Sequence, residues 1–387
     1  MNTQISIIDG TYSVIHIPLD VYSALLQPIL RTLLPQSQTV RVTSDGPDFH
    51  PDGLCDGQHG FLNISVTPLE CTVVCHQSWA HNVFQPVISA LPKPLTKQVS
   101  ISKDSYIVLS VIGADMDAGS RVVELTSPLA VAGIPIFFIT TYYSDFICVP
   151  AKERHKVNAA LLANGFRLDA DDASSYLPPA YPHPSPPAST THLSAPASPP
   201  RTPPPSSVHE LVTRTFDLLR KRAVAPYAEP DVQLVQCSGR DTAHASAELL
   251  GRRASSMGRG WIDAADTALY AGIVSALVSQ PRFCSVTLAQ QDPPSLLLDR
   301  KLLPFFGGAL VGDFEAVLVP IFLDLATLPA EVTGIVCGVA GRLLSDLELE
   351  STSELSYLST AKAGSVILSE EQAKKALEIL GPLFETR

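Results

Sequence analysis

Metal-ligand side chains crowd one loop: Asp45, Asp48, His50, Asp52, Cys55, Asp56 and His59 fall within fifteen positions. Their types suit a cation. Their spacing matches neither an EF-hand nor a zinc pattern, and the interspersed Gly and Pro read as a loop, so no metal is expected. Cys71 and Cys75 lie two strand periods apart and share one face of a strand. Core packing is the expectation there, not redox work. The GGALVG segment at 307–312 lacks the Lys-Ser/Thr that a phosphate loop requires. The chain has no GxSxG elbow, and its ten histidines do not gather around a nucleophile. No catalytic residue and no cofactor are therefore assigned, and a non-enzyme is expected.

Composition narrows the class. Of 387 residues, 45% are apolar and 17% charged, enough for several small cores. A net charge of −11 disfavours nucleic acid and anionic membrane surfaces. The seven cysteines are odd in number, form no CxxC pair and mostly sit in apolar runs (Cys71, Cys75, Cys148, Cys284, Cys337), as buried reduced thiols do. The start, MNTQISIIDG, has no basic region followed by an apolar stretch, and no apolar run reaches the ~18 residues of a membrane span. A soluble cytoplasmic protein is expected.

The elements that must position a site come next. Residues 106–166 parse as strand, polar loop, helix, strand, tight turn, strand, helix. Residues 315–381 repeat that order in degenerate form. In the first copy, Val122, Leu125 and Leu129 form the apolar face of a helix, which Pro128 should kink or shorten. A second helix opens near Pro150 and stops at Gly165. In the second copy, Ser369 and Gln372 form a capping box, and Gly381 with Pro382 should end the helix. Upstream, 5–17 reads as a strand pair or one bent strand, 19–34 as a helix, then two strands, a helix at 78–91 and a strand at 97–102. After residue 208 come an amphipathic helix (208–222), a strand (231–238), an Arg- and Ser-rich insertion (239–260), a helix (261–280) and two strands. The 208–222 helix carries Arg214, Arg220, Lys221 and Arg222, which suit docking on a partner or packing on the unit that follows.

Residues 172–207 hold 12 of the 33 prolines with little charge and few apolar groups. Such a segment reads as a disordered, partly polyproline linker. Within it, Pro178–Tyr181 (PPAY) matches a WW-domain ligand, and Ser198-Pro199 and Thr202-Pro203 match proline-directed kinase sites.

The stretch ITTYYSDFICV (139–149) resembles the strand–turn–strand signature of ACT domains, small βαββαβ modules that bind amino acids. The order of units resembles the CASTOR-type cytosolic arginine sensors. That family's STYxTDFILV turn is similar to Thr140, Thr141, Tyr142, Tyr143, Ser144, Asp145 and Phe146. Its GIVxxxAGxL pattern is similar to Gly334, Ile335, Val336, Ala340, Gly341 and Leu343. The resemblance implies an α+β fold of four tandem ACT (ferredoxin-like βαββαβ) units in two halves. These would be 1–104, a divergent unit; 105–170; the linker, 171–207; 208–312, with helix and insertion; and 313–387.

The resemblance also implies a non-enzymatic sensor of a free amino acid, acting in nutrient signalling upstream of the TOR kinase through a GATOR-like complex. A homodimer is a further expectation. The implied ligand contacts are Pro135 and Ile136 on a strand of the second unit, Glu331, Val332, Gly334 and Val336 at a helix mouth of the fourth, and Thr360 and Gly364. The implied partner contacts are Tyr142, Tyr143 and Asp145, which otherwise read as a hydrogen-bonded turn with two packed aromatics. The family's two acids align with Val332, beside Glu331, and with Gly364. A buried guanidinium without a carboxylate is costly, so an amino-acid-sized ligand is expected, with arginine disfavoured. The alternatives are a ligand-free ACT scaffold and a regulatory subunit of an amino-acid biosynthetic enzyme.

Overall fold

The computed structural model describes residues 3–34, 60–112, 118–168, 207–240, 267–290, 292–329, 331–347 and 355–384. The loop 45–59, the proline-rich linker with its PPAY and Ser/Thr-Pro motifs, and nearly all of the 239–260 insertion lie outside the described residues.

Runs rich in β-branched residues form 16 strands joined in one sheet. Strand β1 (Gln4–Ile17) leads into helix α1 (Leu19–Leu33), then β2 (Phe61–Val66), β3 (Cys71–His76), a helical run over 77–90 and β4 (Ser100–Ile101). Next come β5 (Tyr106–Ile112), α2 (Ala118–Val131), β6 (Phe137–Thr140), β7 (Asp145–Pro150), α3 (Arg154–Ala163) and β8 (Arg167–Leu168). Past residue 207 follow α4 (Val208–Lys221), β9 (Pro226–Ala228), β10 (Leu234–Gly239), α5 (Thr267–Val278), β11 (Cys284–Ala289), β12 (Ser295–Asp299), a 3-10 stretch (Arg300–Phe305) and β13 (Leu310–Gly312). The last elements are β14 (Leu318–Asp324), α6 (Ile335–Asp346), β15 (Ser356–Ser359), β16 (Ala363–Ser369) and α7 (Glu370–Phe384).

The pairing exchanges strands between neighbouring sets. β1 is one bent strand, with Gly10 at φ +101° and a register shift between Ile8 and Tyr12. Its start pairs with β5 and its end with β3 and β4. β9 and β10 divide the same work: β9 pairs with β14, while β10 pairs with β12 and β13. A six-pair antiparallel ladder joins β2 to β11, and a second junction joins β6 to β15. Leu234 of β10 also pairs with Leu318 of β14, which closes 12 strands into a ring.

Side-chain alternation sorts the core into layers. In β7, Phe146 and Cys148 point into the ring, while Ile147 and Val149 point outward to the helices. Tyr12, Phe61, Phe146, Phe283 and Phe322 fill the interior. Helices α2, α3, α4, α6 and α7 cover one outer core, and α1, the 77–90 run and α5 cover the other.

Several expectations are corrected. The strand expected at 97–102 shrinks to Ser100–Ile101. Helix α2 continues to Val131 despite Pro128, because Leu125 and Leu129 on the same face are fully buried. Helix α7 does not end at Gly381-Pro382; it reaches Phe384, whose ring packs edge-on to Phe216 at 5.6 Å. The 208–222 helix packs on α6, α7 and α2 rather than on the elements that follow it, with Leu211, Phe216 and Leu219 buried. Three cysteines of the core, Cys75, Cys148 and Cys284, are raised to about 12 by burial, which makes them inert packing groups.

Candidate functional site

The two junctions of the ring differ. Between β2 and β11 the ladder is complete, and the side chains facing inward bond to one another: Asn63 Nδ2 donates to Thr287 Oγ1 at 3.0 Å, and the Ser65 and Ser285 hydroxyls meet at 2.8 Å. Between β6 and β15 only Ile139 and Leu358 pair. Hydroxyls replace the missing rungs: Phe138 N donates to Ser359 Oγ and Tyr357 N donates to Thr140 Oγ1, each at 3.0 Å. Pro135, ahead of β6, has no N–H to extend the ladder. The sheet therefore parts at that end, and a cleft of about 130 Å³ opens.

One wall of the cleft is the approach to β6, with Pro135, Ile136 and Phe137. The opposite wall is the segment Val332–Cys337, which opens α6, together with Leu325, Leu328 and Pro329. Gly334 caps that helix at φ +90°, with no side-chain cap. Gly338 N–H is the first to close an intrahelical bond, to Gly334 O at 2.8 Å. The N–H groups of Ile335, Val336 and Cys337 thus precede the ladder, at the electropositive end of the helix, and these three residues line the cleft. The Gly334 geometry is enforced from behind, since a Cβ there would meet Leu211 Cδ1 at 2.7 Å. Burial raises the Cys337 thiol to about 11, against weaker hydrogen bonds from Ser127 and its own backbone, so it is no thiolate at neutral pH.

The floor is Tyr357 with the hairpin Thr360–Ala363. Tyr357 is 1% exposed, and burial raises its phenol. The hairpin is held from a remote part of the chain. The Glu70 carboxylate, 1% exposed, accepts from Thr360 Oγ1 and Lys362 N, both at 2.6 Å, and contacts His16 Nδ1. Thr72 Oγ1 accepts from Ala361 N at 2.9 Å.

Of the residues picked from sequence, the cleft brings together Pro135, Ile136, Val332, Gly334, Val336 and Thr360. It does not include the other two. Glu331 is exposed and outside the lining, and its charge instead reaches Lys152, which pairs with Asp104 at 2.7 Å. Gly364 is buried beneath the Tyr357 hydroxyl, which lies 2.4 Å from its would-be Cβ. Sequence reasoning also missed Tyr357, Lys362 and Glu70. Tyr357 and Lys362 read as ordinary strand and turn residues, and Glu70 lies 290 positions from Thr360.

The second hairpin, Thr141–Ser144, is built like the first. Thr141 Oγ1 donates to Ser144 O at 2.6 Å, as Thr360 Oγ1 does to Ala363 O at 3.2 Å. Ser295 Oγ accepts from Tyr142 N at 2.8 Å, and Gln236 Nε2 donates to Thr141 O at 2.7 Å. Tyr142 and Tyr143 are 38% and 48% exposed, their rings edge to face at 4.9 Å. Asp145 is no surface residue. It is 1% exposed and paired with Arg121 at 2.5 Å, so it holds the hairpin from within. Among the described residues, no group of three or more His, Cys, Asp or Glu side chains is placed to hold a metal, and no helix is long and apolar enough to cross a membrane.

Residues 101–163, from just before β5 through α3, match the ACT domain family. An ACT domain thus supplies the β6 wall of the cleft, and regulatory ligand binding is the general role such a domain suggests. Comparison with curated proteins finds no match. Among solved structures, the chain is similar to protein Atu0741 from Agrobacterium tumefaciens, with 18% identity over 44% of this chain and 93% of that one, and a TM-score of 0.27. It is also similar to an aspartate kinase from Synechocystis, with 12% identity over 99% of this chain and 57% of that one, and a TM-score of 0.31.

Proposed function

We propose that this protein is a non-enzymatic, cytoplasmic sensor of a free amino acid, built from four ACT-like units and acting in nutrient signalling of the CASTOR type upstream of the TOR kinase. One observation carries this reading: a cleft lined on one side by the uncapped first turn of α6 and on the other by Pro135–Phe137 at the start of β6. A helix mouth suits an α-carboxylate, and carbonyls ahead of a strand edge suit an α-ammonium. The volume of about 130 Å³ is close to the ~150 Å³ of an engineered cavity that holds benzene. A ligand there touches both sides of the β6–β15 junction, so binding favours the joined arrangement by its differential contacts. The exposed pair Tyr142 and Tyr143 is the surface proposed to meet a GATOR-like partner.

A ligand-free scaffold is the rival reading, favoured by the Tyr357 phenol resting where the family's second acid would begin. Thermal melting of the full chain against the twenty amino acids separates the two. A ligand at a hundred times its dissociation constant adds about 2.7 kcal/mol, and Thr333→Phe, which fills the cleft from a loop, abolishes that gain. Stabilisation by no amino acid would leave the scaffold. Co-purification of a kinase or dehydratase in place of a signalling complex would point to a subunit of a biosynthetic enzyme.

A further inference from the structure

Among the described residues, the cleft lining contains no Asp or Glu. The charged side chain that these residues do supply, Lys362, is a cation and is exposed. The nearest acid in the floor, Glu70, is committed to Thr360, Lys362 N and His16. Glu331 faces solvent, and the position of the family's other acid is a glycine covered by Tyr357. Much of the lining is apolar, including Ala130, Leu325, Leu328, Pro329 and Val332.

Resting on the amino-acid reading above, we infer that the cleft selects an α-amino acid with an uncharged aliphatic side chain and rejects arginine and lysine. The physical cause is desolvation. A guanidinium or ammonium entering this space loses water and gains no carboxylate to offset that loss. An aliphatic side chain loses only apolar contact with water, which is favourable. The α-carboxylate is held by the same helix mouth in either case, so discrimination falls on the side chain alone.

Calorimetric titration of the full chain with leucine, valine, methionine, arginine, lysine and glutamate tests this. At least one of the three aliphatic ligands binds ten-fold or more tighter than arginine, lysine and glutamate. Val332→Glu, a loop substitution that places a carboxylate in the cleft wall, narrows or reverses that preference, with arginine gaining at least ten-fold. Arginine or glutamate binding the unmodified chain as tightly as the aliphatic ligands would overturn the inference and leave the sensor reading standing. No binding by any amino acid would overturn both. If Val332→Glu does not fold, the panel on the unmodified chain decides alone.

Discussion

The Tyr357 hydroxyl stands 2.4 Å from the point where a Cβ on Gly364 would sit, and the ring carbon bearing it lies at 3.2 Å. The two residues are one structural unit: the glycine exists to admit the phenol. The same phenol then forms the floor of the cleft. An acid at 364 is therefore sterically incompatible with the tyrosine at 357, which ties the absence of a carboxylate to the shape of the floor.

Gly364→Ala forces that phenol toward the cleft. The expected loss is about 1–3 kcal/mol of stability from overpacking. Tyr357→Phe removes the atom that meets the new methyl, so the double variant recovers part of the loss. Urea unfolding of the four proteins measures the coupling. Additive losses would show that the contact does not control the site.

Gly334→Ala probes the helix mouth. Its φ of +90° and the Leu211 contact at 2.7 Å both oppose a side chain. A destabilisation of about 1–3 kcal/mol is expected, with weaker ligand binding because the N–H groups of Ile335–Cys337 lose their aim. Leu211→Ala relieves the Leu211 contact but not the remaining strain, which is the backbone φ and the Thr215 hydroxyl at 2.9 Å. Melting curves of the single and double variants divide the two.

Glu70 links the floor of the cleft to β2 and β3. Glu70→Ala leaves Lys362 N–H without its buried acceptor and Thr360 Oγ1 with only the longer contact to Ala363 O at 3.2 Å, and about 1–3 kcal/mol is expected to be lost. Hydrogen exchange at 360–363 should rise in that variant before the rest of the sheet loosens. Unchanged exchange at Lys362 would remove Glu70 from the support of the site.

Tyr142 and Tyr143 are exposed, and neither belongs to a core cluster of the described residues. Replacing both by Ala is expected to change stability by no more than about 0.5 kcal/mol per residue. The same variant should lose capture of the proposed signalling partner. Retained capture would move the partner surface elsewhere.

The elements around β5–α3 and β14–α7 were legible because strand patterning, the apolar face of Val122, Leu125 and Leu129, and the capping box at Ser369 are local signals. The candidate contacts on the two walls of the cleft came from the family resemblance alone. Strand exchange was not legible. β9 is Pro-Tyr-Ala, three residues with no alternation to read, and its place beside β14 is decided by tertiary order. The roles of Glu70 and Tyr357 were invisible for the same reason: each depends on a partner surface that only folding creates. The 208–222 helix could be seen as amphipathic, but nothing local says which neighbour takes its apolar face.

Asp145 supplies the last prediction, through pH. It is paired with Arg121 at 2.5 Å, yet burial outweighs that attraction and raises its pKa to about 6, from an ordinary value near 3.8. The folded state therefore binds this proton more tightly than the unfolded state does. The sign follows from linkage: the protonated carboxyl favours folding below about pH 4, and that contribution is lost as pH rises through about 6. Asp145→Asn keeps the shape and removes the titration. The stability of the unmodified protein minus that of the Asn variant should fall between pH 4 and pH 7, by up to roughly 3 kcal/mol. Paired urea titrations at several pH values measure that difference. A difference that rises with pH would mean that Arg121 dominates after all, and that the hairpin bearing Tyr142 and Tyr143 is held by a fully ionised pair.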